Sequence, residues 1–427
     1  MDRNDARYQA FLQILKEELV PAMGCTEPIA IAYGAAKARE VLGEIPDKVL
    51  VEASANIIKN VKSVVVPNTN GLKGIEAAAA VGIIAGKAEK VLEVVSEVSE
   101  EEKKLTKEYL DRGCIEVKLA NTGIVFDIII TMHYKEAYVK LRISEYHVNI
   151  VHVEKNGEVL LSQGSVVEGK EKGLTDRSLL NVKDIIEFAD TVLIEDVKET
   201  LSRQIEYNSA IAKAGIEGNY GANVGSVLLK TYGNDVKIRA KAMAAAGSDA
   251  RMSGCELPVI INSGSGNQGM TTSLPVIEYA KELKVSEEKL YRALVISNLI
   301  TLHLKTGIGR LSAFCGVICA GCGSGAGIAY LYGDGYEEIA HTIVNAVAIV
   351  SGIVCDGAKP SCAGKIASAV DAGILGYFMY KEGQQFRGGD GIVAKGVENT
   401  IANIGQLGKV GMKETDKEII NIMLTRC

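Results

Sequence analysis

No apolar run in this 427-residue chain is long and unbroken enough to span a bilayer. The stretch 343–355 is interrupted by Asn345, Ser351 and Gly352, and a spanning helix needs about 20 apolar residues. A cationic surplus is missing too. With a net charge of −6 the chain gives no electrostatic case for a nucleic acid or an anionic membrane as partner. HExxH, a P-loop and a GxSxG elbow are absent, which removes the zincin, P-loop NTPase and serine-hydrolase readings. There is no low-complexity segment and no internal period of the roughly 20–50 residues that marks a solenoid. The first residues, Met1-Asp2-Arg3-Asn4-Asp5-Ala6-Arg7, are charged and lead into an amphipathic helix, which is wrong for a secretory leader. Tryptophan is absent, whereas cysteine occurs nine times. An odd number of cysteines without an export signal points to free thiols or metal ligands in a reducing cytoplasm, not to a disulfide framework.

A hydrophobic content of 47% with 45 glycines describes a well-buried globular protein, and the length favours two domains. Tyr8, Phe11, Leu12, Leu15 and Leu19 follow a helical period that Pro21 ends. A second helix opens at Pro28 and runs through Ile29, Ala32, Ala35, Ala36 and Ala38. From Lys48 the texture changes. Residues 49–53 and 63–66 read as short strands, 74–87 as an alanine-rich helix and 96–110 as a charged one. Val139, Leu141 and Ile143 alternate with Lys140 and Arg142, a half-buried strand. Segments 148–154 and 159–161 flank Asn156-Gly157, a hairpin signal. After Val182 the chain reads as helical, with alanine- and glycine-rich helices suited to close packing. The expected fold is α+β. A smaller α/β domain at 45–169, with a mixed or antiparallel sheet, sits beside a predominantly helical domain of 1–44 with 170–427. The small-residue helical half would suit a homodimer.

Five of the nine cysteines lie between Cys315 and Cys362, in two glycine-rich stretches. Clustered thiolates in a reduced protein are the chemistry of iron–sulfur clusters or zinc. Cys315, Cys319 and Cys322 permit two readings. On a loop they could wrap one cubane, as in radical enzymes, although only about a hundred mainly helical residues follow them. On a helix the i, i+4, i+7 spacing would put three small residues on one buried face; flanking glycines favour at least a partial loop. Cys355 and Cys362 sit in a Gly/Pro-interrupted loop after an apolar helix. Each alone is most simply a buried small hydrophobe, a reading that weakens for five together.

Cys25 precedes a helix marked by Thr26, Glu27 and Pro28. A thiol at a helix N-terminus is expected to ionise more readily, which makes Cys25 a candidate base or nucleophile. Ile261-Asn262-Ser263-Gly264-Ser265-Gly266-Asn267-Gln268-Gly269 is a polar loop that opens the following helix. Such loops offer N–H groups to a carboxylate or phosphate. They equally serve tight helix crossings. If the anion were the phosphate of pyridoxal phosphate, Lys305 or Lys359 would carry the Schiff base. His303 is read as a hydrogen-bonded structural histidine. Residues 56–62 and 67–74 are polar segments read as surface turns, a place at an active site being the rarer alternative.

Four segments together resemble one family: Met-Gly-Cys-Thr-Glu-Pro at 23–28, Ser-Gly-Ser-Gly-Asn-Gln-Gly at 263–269, Gly-Arg-Leu-Ser-Ala-Phe-Cys-Gly at 309–316, and Cys-Asp-Gly-Ala-Lys-Pro-Ser-Cys-Ala at 355–363. The resemblance, over nearly the whole chain, is to the L-cysteine desulfidase branch of the iron–sulfur L-serine dehydratase alpha-chain superfamily. It implies a [4Fe–4S] cluster held by Cys315, Cys355 and Cys362 in the helical catalytic domain, with one iron open to a small amino-acid substrate. Cys319 and Cys322 would then be neighbours, not ligands. It also implies Cys25 as the base in β-elimination of L-cysteine, with Ser263, Gly264, Ser265 and Asn267 holding the substrate carboxylate. Cys25 stands where the serine dehydratases of the resemblance carry a Ser–His pair, a departure that favours cysteine over serine as substrate. The alternatives are L-serine dehydration by the same cluster, a pyridoxal phosphate lyase, and a non-catalytic cysteine-binding or cluster protein.

Overall fold

Apolar side chains at Tyr8, Phe11, Leu12 and Leu15 wind the first segment into helix α1 (Ala6–Glu18), with Asp5 capping its N-terminus. The computed structural model describes residues 1–163 and 174–425, so the expected domain boundary at 169/170 lies outside the described residues. Pro21 does not merely end α1. It opens strand β1 (Pro21–Met23), which pairs antiparallel with β8 (Pro258–Ile260), Pro21 opposite Ile260. Helix α2 (Thr26–Leu42) follows and stops at Gly43, whose φ of 86° is the left-handed value glycine adopts without strain.

Next comes a six-stranded mixed sheet in the order β3-β2-β4-β5-β6-β7. Strand β2 (Lys48–Ala53) runs parallel to β3 (Ile115–Leu119) and antiparallel to β4 (Asp127–Tyr134). Strands β5 (Ala137–Ser144), β6 (Ile150–Lys155) and β7 (Glu158–Ser162) extend it as an antiparallel meander. Val139, Leu141 and Ile143 are fully buried, as their alternation with charged residues requires. Asn156 and Gly157, both at positive φ, make the β6–β7 turn. Gly34 lets α2 lie flush on the sheet: a Cβ there would sit 2.9 Å from Ile130 and 3.0 Å from Ile143.

Between β2 and β3 the chain folds into α3 (Ala55–Val61), α4 (Gly74–Ile84) and α5 (Glu100–Asp111), the last closed by a Ser99–Glu102 capping box. The expected strand at 63–66 does not form; only an isolated bridge joins Val65 to Lys73. Its valines are buried as a loop against the helices instead, Val64 and Val66 fully so. Burial can therefore stand in for strand patterning.

The remainder is helical except for β8, as its composition suggests: α6 (Val182–Thr191), α7 (Ile194–Glu217), α8 (Val224–Tyr232), α9 (Val236–Met252), α10 (Gly266–Leu283), α11 (Glu287–Ile308), α12 (Gly316–Leu331), α13 (Tyr336–Val350), α14 (Cys362–Lys381), α15 (Val397–Gln406) and α16 (Lys413–Thr425). Helix α12 is the axis of this half. Every residue from Val317 to Leu331 is buried. Its glycines permit the approach of neighbours: a Cβ on Gly321 would meet the Ala369 carbonyl oxygen at 2.3 Å, and one on Gly325 the Gly373 oxygen at 2.7 Å. Gly321-Cys322-Gly323 is thus helix interior, not a loop. No described helix is long and apolar enough to cross a membrane.

Candidate active site

The β1–β8 pairing places two short polar segments side by side. After β1, Gly24 turns the chain at φ 64°, so close to Pro67 that a Cβ would lie 2.2 Å from its ring. Cys25 then caps α2, with β-region angles and no side-chain cap bond. After β8, Asn262 and Ser265 close a tight turn through reciprocal backbone hydrogen bonds of 3.1 and 3.0 Å. Ser263 (φ 48°) and Gly264 (φ 74°) occupy its corners. Ser265 caps α10, its hydroxyl accepting from the Gln268 amide at 3.5 Å. The Thr26 hydroxyl donates to the Gly264 carbonyl at 2.8 Å, tying the two segments together.

A second convergence comes from the helical half. Phe314 and Val354 form an isolated antiparallel bridge, and the Cys315 amide donates to Ile353 while the Cys355 amide donates to Ala313. Cys315 caps α12, and Cys362 is the first residue of α14. Gly357, at φ 92°, carries the loop between Cys355 and Cys362 so close to α3 that a Cβ would sit 2.3 Å from the Lys59 carbonyl oxygen.

All eight expected site residues line one cavity of about 100 Å³: Cys25, Ser263, Gly264, Ser265, Asn267, Cys315, Cys355 and Cys362. Cys319 and Cys322 do not line it; they are buried on α12, which realises the helix-face reading of their spacing. Lys305 lines the cavity, whereas Lys359 does not and is turned onto Asp356. His303 faces away, bonded to Glu398 at 2.6 Å.

The cavity is also built from residues the sequence reading did not single out: Glu27, Lys59, Asn60, His147, Arg251 and Arg310. Glu27 sat inside a quoted motif, and Lys59 and Asn60 fell in a segment read as a surface turn that is in fact α3. For His147 and Arg251 no local signal existed. His147 reaches in from the β5–β6 connection of the sheet, and Arg251 from the end of α9.

Electrostatics at Cys25 run opposite to the expectation of a readily ionised thiol. Burial and then the adjacent Glu27 charge push its pKa well above the ordinary value, with Arg251 pulling the other way and not prevailing. The thiol donates to Glu27 Oε2 at 3.1 Å. Burial works against the Glu27 charge too, yet the nearby His147 ring, the Cys25 thiol and its own amide together lower its pKa. Asn60 Nδ2 also donates to this carboxylate at 3.0 Å, and the Thr26 hydroxyl, whose proton is shared with the shorter bond to Gly264, lies 3.1 Å from Oε2. His147 Nε2 lies 4.0 Å from Glu27 Oε1, and burial depresses the ring's pKa to about 4, so it is neutral near pH 7.

Arg251 is almost wholly buried. Its Nε donates to the Gly24 carbonyl at 2.9 Å and its Nη1 to Asn267 Oδ1 at 3.1 Å. Elsewhere in the lining the Cys355 thiol is held down to about 5, first by a hydrogen bond from Cys315 and then, against burial, by Lys59. Among the described residues no three His, Cys, Asp or Glu side chains are set for a single metal ion. Three cysteine sulfurs, a soft donor set, nevertheless line the one cavity.

These features define one small cavity whose lining combines a thiol–carboxylate pair with three further thiols. The serine dehydratase alpha chain family matches residues 89–421, and the chain belongs to that family. It is 79% identical, over 100% of its length and 99% of the relative's, to a UPF0597 protein of Desulfitobacterium hafniense (strain Y51). A UPF0597 protein of Lachnoclostridium phytofermentans is 56% identical over 98% of this chain and 100% of the relative. One of Treponema denticola is 49% identical over 99% of this chain and 100% of the relative.

Proposed function

We propose that the protein is a carbon–sulfur lyase that eliminates hydrogen sulfide from L-cysteine, giving pyruvate and ammonia. The observation that carries this reading is the shared cavity of Cys25, the 263–267 turn and the trio Cys315, Cys355 and Cys362. The trio fits an iron–sulfur group. All three sulfurs are thiols free of disulfide, they come from two backbone segments, and they share the cavity lining with Lys59, Lys305 and Lys365, whose charges suit an anionic centre. When bound, a [4Fe–4S] cluster held by these three supplies an open Lewis-acidic iron for a negatively charged substrate group.

The chain's own residues supply the rest. β-Elimination breaks the Cα–H bond and the Cβ–S bond. The Cα proton passes to the Cys25 sulfur, and the Cβ–S electron pair departs as hydrosulfide. Cys25 first gives its proton to Glu27, its hydrogen-bonded acceptor. A thiolate with a raised pKa is a stronger base, which suits a weakly acidic Cα–H. Asn60 keeps the Glu27 carboxylate aimed at Cys25. Because Ser265 and Asn267 are engaged in capping α10 and in binding Arg251, the carboxylate of the substrate falls to Ser263 and the Arg251 guanidinium. The 2-aminoacrylate product tautomerises and is hydrolysed to pyruvate and ammonia.

Family membership keeps L-serine dehydration as the second reading, since the same proton transfer would expel hydroxide. The test is anaerobic reconstitution with iron and sulfide, followed by assay of L-cysteine and L-serine without added pyridoxal phosphate. Equimolar pyruvate and sulfide from L-cysteine at the higher kcat/KM is expected. Pyruvate from L-serine alone, or no product from either, overturns the proposal.

A further inference from the structure

Glu27 is the one carboxylate among the described residues lining the cavity, against five cationic side chains: Lys59, Arg251, Lys305, Arg310 and Lys365. Those cations are already committed. Lys59 donates to Asp416 at 2.5 Å, Lys305 to the Gly309 carbonyl, Lys365 to the Val354 carbonyl at 2.8 Å and Arg310 to Glu18 at 3.1 Å. Arg251 serves Gly24 and Asn267 through Nε and Nη1, and its remaining N–H groups are assigned to the substrate carboxylate. Two amide acceptors have been left over, beside the unpartnered Nε2 of the neutral His147 ring. Asn60 Oδ1 and Gln268 Oε1 are buried and have no hydrogen-bond partner among the described residues, although both side chains line the cavity. Asn60 is only 7% exposed and Gln268 only 5%.

The orientation of the Asn60 amide is fixed by its neighbour. Asn60 Nδ2 is spent on Glu27 Oε1, so exchanging its O and N would set two acceptors face to face. The Gln268 amide is pressed flat on Gly316, where a Cβ would come within 2.7 Å of Cδ and of Oε1. Glycine directly after Cys315 thus keeps room for this amide beside the thiol trio. A buried acceptor left unpaired is costly, and the cost is recovered when a ligand brings the missing donor.

We infer that Asn60 Oδ1 and Gln268 Oε1, together with the Glu27 carboxylate, form the cradle for the α-ammonium group of the substrate. An ammonium has three donors and no acceptor, matching two orphan carbonyls and one carboxylate in a pocket whose own cations are otherwise paired. This deepens the proposed lyase reading and rests on it for the identity of the site. It makes the site select α-amino acids over the corresponding acids that lack nitrogen.

The test uses ligands with no leaving group, so that binding is read apart from elimination. L-Alanine and propionate are titrated calorimetrically into the anaerobically reconstituted protein and into its Gln268→Met and Asn60→Ala variants. The wild type should bind L-alanine about ten- to a hundredfold more tightly than propionate. Each variant should lose most of that preference while its propionate affinity holds. Equal affinities in the wild type, or a preference surviving in both variants, would assign the two carbonyls to water and overturn the inference. A parallel loss of both ligands would show a merely structural role and overturn it equally. If the preference behaves as expected but L-cysteine yields no sulfide, the lyase reading fails and the ammonium cradle stands.

Discussion

Cys25 Sγ and Glu27 Oε2 are 3.1 Å apart, both buried, at the first turn of α2. The helix N-terminus that favours a thiolate is outweighed by burial and by the carboxylate beside it. At rest the pair is a neutral thiol on a charged acceptor, so Glu27→Gln removes the proton's destination while preserving shape. Turnover should fall by roughly 10²-fold or more, with iron content unchanged. Steady-state kinetics beside iron analysis check this; full activity would make Glu27 a bystander.

The cysteines of the carboxyl-terminal half separate into two groups. Cys315, Cys355 and Cys362 line the cavity, whereas Cys319 and Cys322 are packed inside α12. Alanine at any of the first three should abolish retention of a full cluster, read by visible absorbance and iron per chain. Alanine at Cys319 or Cys322 should keep the iron and cost only packing, about 1–2 kcal/mol in chemical denaturation.

The helices that present two of those sulfurs cross at glycine. Cys315 caps α12 and Cys362 begins α14, and Gly325 of the first lies against Gly373 of the second. Gly325→Val should push the helices apart, costing about 1–3 kcal/mol and lowering both the thermal midpoint and iron occupancy. Gly335→Ala is the control, because a Cβ there meets nothing within 4 Å. Equal behaviour of the two variants would remove this crossing from the account.

Glu18 is buried between Arg177 (2.8 Å) and Arg310 (3.1 Å). Burial raises its pKa, but the two guanidinium groups more than offset that, leaving it below the ordinary 4.5. A carboxyl whose folded-state pKa is depressed stabilises above its unfolded value and loses that contribution as pH falls through the folded one. Stability should therefore decline below about pH 4.5. Glu18→Gln should flatten that acid limb and cost about 1–3 kcal/mol at neutral pH, because Arg177 and Arg310 each lose a buried charged acceptor, Arg177 keeping only Glu17 at 2.7 Å as its carboxylate partner. Denaturant titrations at several pH values measure both effects.

Local signals made the sheet and the helical half legible. Val139, Leu141 and Ile143 alternate with charge, Asn156-Gly157 demands a tight turn, and alanine with glycine marks helices that pack closely. Segment 63–66 looked like a strand because valine is common in strands, yet its burial is satisfied without a ladder. The glycines around Cys319 and Cys322 suggested a loop, whereas here they are the thin face of a buried helix. At the site, the residues within contiguous motifs were readable. His147 and Arg251 were not, since only the β5–β6 connection and the β1–β8 pairing bring them to Cys25.

The most direct test is Cys25→Ala, with iron and kcat/KM for L-cysteine measured on the same anaerobic sample. The account predicts iron equal to wild type and kcat/KM lower by at least about 10²-fold. Wild-type turnover, or iron lost together with Cys25, would contradict the assignment of this thiol to proton transfer.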